Sequence, residues 1–83
     1  MDTLDTIKTL AATQFGGEAD AIDADAPFDQ LGIDSLGFLE FLFELEDKLG
    51  VSVPPKSVDG VRTLRQLAAA IDPLIAAKNA ATG

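Results

Sequence analysis

Three features of this 83-residue sequence predict an all-α fold. Apolar residues recur every three or four positions in three separate segments, the period of a helix with one buried face. Capping and breaking residues bound each segment. Val51 and Val53 alternate as a strand does, but no second strand-like run stands ready to pair with them, so a sheet is rejected. The expected architecture is a small bundle of three main helices plus one short helix, with a long loop between the first and second. Residues 1–83 are read as a single domain, the size at which one core forms without staples, with 79–83 as a frayed tail.

The first helix is expected from about Thr3 to Phe15, with Leu4, Ile7, Leu10, Ala11, Gln14 and Phe15 on one face. Asp2 or Thr3 can cap it, and Gly16-Gly17 stops it. A long connection follows to Asp34, in which Phe28, Leu31 and Ile33 are the expected anchors. The second helix should span Ser35 to Leu49, capped by Asp34 or Ser35 and ended by Gly50. Pro54-Pro55 forces the preceding residues out of helical geometry, and Lys56 to Gly60 fits one short helical turn. Thr63-Leu64-Arg65-Gln66 reads as a capping box opening a last helix, with Leu64, Leu67, Ala68 and Ile71 inward. Asp72-Pro73 is a good fresh N-cap and first-turn pair, so a kink or restart is expected there.

Composition removes whole classes of function. There is no cysteine, hence no disulfide, thiolate metal site or cysteine nucleophile, and no histidine to act as a base near neutral pH. Residues 1–50 hold twelve acids and two bases, net −10, whereas residues 51–83 hold two acids and four bases, net +2. Such an acidic face repels nucleic acid and anionic lipid and draws in basic protein surfaces. Nothing at the start resembles a signal peptide and no apolar run approaches a membrane span, so a cytoplasmic location is expected; the chain is also expected to be a monomer. Asp23 and Asp25 begin like a calcium loop, but Pro27 and Phe28 stand where a ligand and a glycine are needed, so no metal site is expected.

The second helix carries two apolar stripes where a small bundle needs one. At about 100° per residue, Phe38, Phe41, Leu42, Leu45 and Leu49 form a core-facing stripe, and Leu36, Leu39 and Phe43 a separate one. Glu40, Glu44 and Asp47 border the second stripe on one side and Glu46 on the other. An apolar strip framed by acids has the make-up of a partner-binding face.

Ser35 stands where the Asp-rich loop meets this helix, near the positive end of its dipole. No base lies near to take its proton, so it is not a catalytic nucleophile, and neither catalytic residues nor enzyme activity are expected. The run Leu31-Gly32-Ile33-Asp34-Ser35-Leu36, opening a helix with an acidic outer face, resembles the prosthetic-group site of acyl carrier proteins. The likeness extends from the first helix to the last.

The resemblance implies that Ser35 bears covalent 4'-phosphopantetheine, taken from coenzyme A by a separate phosphopantetheinyl transferase. The thiol of that arm would carry an acyl group as a thioester between enzymes of fatty-acid, polyketide or related lipid biosynthesis, making this a phosphoprotein of lipid metabolism. It further implies that Asp34 contacts the transferase. Leu36, Leu39, Glu40, Phe43, Glu44, Glu46 and Asp47 would meet partner enzymes with basic docking surfaces. The bundle would part its second and last helices to shelter cargo among Leu42, Leu45, Leu64, Leu67, Ala68 and Ile71. An aminoacyl or peptidyl carrier is the alternative, though such carriers tend to have glycine where Ile33 stands. An unmodified acidic interaction module is the other. Three departures point to a specialised freestanding carrier with its own loading enzyme: Gly37 in place of an acid, Val51-Ser52-Val53-Pro54-Pro55-Lys56 after the second helix, and bulky Phe38, Phe41 and Phe43. The missing side chain at Gly37 would let a partner or the arm approach closely.

Overall fold

The computed structural model describes the backbone of residues 3–82 and the side chains of residues 3–78. Three helices, α1 (Thr3–Phe15), α2 (Ser35–Leu49) and α3 (Leu64–Thr82), are joined by a long and a short connection. There is no strand among the described residues. The expected short helix is a 3₁₀ turn over Pro55–Val58, so the bundle has three α-helices and not four. A second 3₁₀ turn, Ala19–Ala21, interrupts the long loop. It carries no periodicity and hides from a reading based on apolar spacing.

Ile7 and Ala11 of α1, Phe41, Leu42 and Leu45 of α2, and Leu64, Leu67, Ala68 and Ile71 of α3 are buried in one cluster. The six residues expected to shelter cargo are all among these or packed with them. Val51, Val53 and Val58 close the cluster from the short connection. The alternation of the two valines is therefore that of an extended segment laid on the core. Gly50 ends α2 in the left-handed region, at φ 67°, with its N–H donating to Glu46 O at 2.8 Å.

Two details correct the sequence reading. Helix α3 runs through Pro73 without a restart. Asp72, expected to cap a new helix, instead accepts a hydrogen bond from the Thr3 hydroxyl. Leu74 and Ile75 pack against the core beyond the proline, so tertiary burial outweighs the local cost of the missing N–H. Thr3 thus does not cap α1, and Asp2 lies outside the described residues. The backbone of α3 extends to Thr82, and Gly83 lies outside the described residues.

The long loop is held more firmly than its composition suggests. Ile33 is buried and Phe28 and Leu31 are half-buried, as expected of anchors. Ala24 and Ala26 are buried too. Main-chain bonds then tie the loop to the start of α3: Phe28 N donates to Arg62 O at 2.9 Å, and Arg65 N donates to Ala24 O at 3.0 Å. Thr63 Oγ1 accepts from Gln66 N as a capping box requires, but the Gln66 side chain accepts from Arg62 N, one residue earlier than the motif places it.

Candidate functional site

The junction of loop and α2 is built around Asp34. Its backbone is extended, and its carboxylate accepts from Gly37 N at 2.7 Å, while its carbonyl accepts from Phe38 N at 2.8 Å. The cap is therefore Asp34, which satisfies one of the orphan donors of the first turn. Ser35, the first helical residue, is exposed, and its hydroxyl makes no hydrogen bond among the described residues. That division of labour leaves a free nucleophilic oxygen on a fixed backbone. Ser57, by contrast, is half-buried within the 3₁₀ turn.

A groove of about 480 Å³ opens beside Ser35. Phe28, Ile33 and Phe38 supply its apolar lining, and Asp29, Asp34 and Arg62 its charged groups. The rings of Phe28 and Phe38 sit 5.0 Å apart, tilted by 36°, a stable arrangement for an aromatic pair. The sequence marks Arg62 only as one of several bases near the last helix. Its place beside Ser35 depends on the loop–α3 bonds, which no local pattern encodes.

Gly37 has a role inside the chain. A Cβ there would press to 3.1 Å on Asp34 Oδ1, so the missing side chain makes room for the capping carboxylate, while Phe15 Cε1 at 3.5 Å would meet it in ordinary contact. Phe15 in turn packs on Phe41 at 5.7 Å. The space expected to admit a partner or the arm is bordered by this chain's own phenylalanine.

The second stripe of α2 is exposed: Leu36 by 66%, Leu39 by 46% and Phe43 by 67%. Glu40, Glu44 and Asp47 beside it are exposed as well. Glu46 differs. It is half-buried, and its carboxylate accepts from Val53 N at 2.7 Å, clamping the extended segment to α2. A groove of about 260 Å³ runs between Leu39, Phe43 and Glu46 on one side and Val53, Pro54 and Pro55 on the other.

The loop acids are engaged locally. Asp23 accepts from Asp25 N at 2.9 Å, and Asp29 from Gln30 N at 3.0 Å. Asp25 takes a two-pronged contact from Arg65, at 2.7 and 3.3 Å. The hydrogen bond from that guanidinium holds the Asp25 carboxyl below the ordinary aspartate range, and the same bond raises Arg65.

The chain matches the family described as "Phosphopantetheine attachment site" over residues 5–71, which takes in all of α2, the loop before it and the start of α3. The chain belongs to this family. It is thus a carrier of covalently attached 4'-phosphopantetheine, and not an enzyme. As a carrier of this family it is a partner of phosphopantetheinyl transferases and of enzymes that handle acyl groups. No described helix is long and apolar enough to cross a membrane. The residues present suit such a group: an exposed, uncommitted hydroxyl lies beside an apolar groove with a cation on it. Once attached, the arm supplies a thiol, the nucleophile that a chain without cysteine lacks.

Proposed function

We propose that Ser35 is the attachment residue and that this carrier moves acyl groups as thioesters for fatty-acid, polyketide or related lipid biosynthesis in the cytoplasm. The observation that carries the reading is the free Ser35 hydroxyl: Asp34 takes over the cap, so modification costs the fold no hydrogen bond. The preference for acyl over aminoacyl cargo rests on the run Leu31-Gly32-Ile33-Asp34-Ser35. Asp34 contacts the transferase, and Leu36, Leu39 and Phe43, framed by Glu40, Glu44 and Asp47, form the docking face for basic partner surfaces. Glu46 contributes less, because it is committed to Val53.

The test is intact mass after incubation with coenzyme A and a broad phosphopantetheinyl transferase. Wild type, Ser52→Ala and Ser57→Ala gain one phosphopantetheinyl group, and Ser35→Ala gains none. Modification of Ser35→Ala, or none of wild type, rejects the assignment. Melting temperatures of the holo, short-acyl and long-acyl forms test the cargo. A chain sheltered between α2 and α3 loses apolar contact with water at about 25 cal/mol per Å² and raises the melting temperature. No rise with any acyl chain shifts the reading toward aminoacyl cargo.

A further inference from the structure

The groove beside Ser35 carries three charged residues, and they are not equivalent. Asp34 is committed to Gly37 N and Asp29 to Gln30 N. The Arg62 side chain has no ion pair or hydrogen bond among the described residues. Its main chain is nonetheless fixed from two directions: the carbonyl accepts from Phe28 N at 2.9 Å, and the N–H donates to Gln66 Oε1 at 2.7 Å. Arg65, three residues further on, is already taken by Asp25. Arg62 therefore presents an uncommitted guanidinium, on an anchored backbone, in the same groove as the Ser35 hydroxyl.

We propose that Arg62 binds the phosphodiester of the arm on Ser35 and so lays the first segment of the arm along Phe28 and Phe38. The inference rests on Ser35 being the attachment residue. Attachment brings a new negative charge into a groove that already has two carboxylates, and Arg62 is the cation lining that groove which can offset it. The planar fork of a guanidinium matches two phosphate oxygens better than an ammonium does. The apolar lining of Phe28, Ile33 and Phe38 suits the hydrocarbon that follows the phosphate. A positioned arm starts from one direction and not from a free cone about Ser35, which makes Arg62 a positioning residue for delivery to partners.

The experiment compares apo and holo forms of wild type, Arg62→Gln and Arg62→Lys, with Lys56→Gln as a cation outside the groove. Intact mass comes first: a wild type that is never modified overturns both the carrier assignment of Ser35 and this inference. With modification complete, the phosphorus resonance of the phosphodiester and the Arg62 Nε resonance are read at low and high salt. Holo wild type should show a shifted Arg62 Nε and shifted amides at Phe28 and Phe38. Its phosphorus resonance should differ from that of Arg62→Gln, lie nearer to that of Arg62→Lys, equal that of Lys56→Gln, and move toward that of Arg62→Gln as salt screens the pair. The wild-type shifts and their salt dependence stand without any variant. A fully modified protein whose phosphorus resonance is the same in wild type and Arg62→Gln overturns this inference alone. So does an Arg62 Nε that stays still in the holo form and moves only when a malonyl cargo, with its own carboxylate, replaces acetyl.

Discussion

Phe41 and Phe43 are the same side chain two positions apart on α2, yet Phe41 is fully buried and Phe43 is 67% exposed. The contrast extends along the helix: Leu42 and Leu45 are buried, whereas Leu36 and Leu39 are exposed. Residue type does not separate the two sets; phase on the helix does. One face holds the fold together. The other is apolar without serving the core, and acids border it, the make-up of the docking face proposed above.

The sharpest break of this comparison is truncation on each face. Leu45→Ala should cost about 2–5 kcal/mol of stability in chemical denaturation, by lost burial plus the cavity left behind. Leu39→Ala should stay within about 0.5 kcal/mol of wild type, while its rate of modification or loading falls. Equal losses of stability would assign both faces to the core. At the start of the same helix, Asp34→Ala should cost about 1 kcal/mol through loss of the cap, and Ser35→Ala much less, because its hydroxyl holds nothing. A Ser35→Ala loss as large as that of Asp34→Ala would contradict the division of labour. Charge reversal on the exposed face, Glu40→Lys or Glu44→Lys, should leave the melting temperature nearly unchanged and slow transferase modification, most at low salt. An unchanged rate at every ionic strength would remove these acids from the docking face.

The smallest expected effect concerns the loop. Asp25 has a folded-state pKa below its ordinary value of about 3.8, so its contribution to stability is present above that value and lost as pH falls through the lowered one. The stability difference between wild type and Asp25→Asn should vanish in acid. It should be slight even at neutral pH, since both side chains of the Asp25–Arg65 pair are well exposed to solvent.

Most of the helical frame was legible because its signals are local. Thr3–Phe15 and Ser35–Leu49 end where Gly16 and Gly50 leave helical geometry, and the exposures on α2 follow the two stripes of the wheel. Two elements of the site were not legible. The nearness of Arg62 to Ser35 arises from hydrogen bonds between residues more than thirty positions apart, and the packing of Phe15 on Gly37 joins two elements across the long loop. The restart expected at Pro73 failed for the opposite reason: its local rule is strong, but Leu74 and Ile75 have a core to reach. Glu46 shows the limit of reading charge from a wheel, because a carboxylate on the border of a stripe serves Val53 N as readily as a partner.

The bonds Phe28 N to Arg62 O and Arg65 N to Ala24 O join main chain to main chain. Neither bond uses a side chain, so exchanges at exposed Arg62 and Arg65 leave them in place except where proline removes the donor at 65, whereas buried Ala24 and the ring of Phe28 are held to their size by packing. The frame that holds the serine thus draws on nothing in the exposed stripe proposed as the docking face. Were the docking face proposed above rewritten at residues 36, 39, 40, 43 and 44, the fastening of the loop would stay as it is. Evolvability of partner choice at that proposed face would then be a by-product of backbone hydrogen bonding.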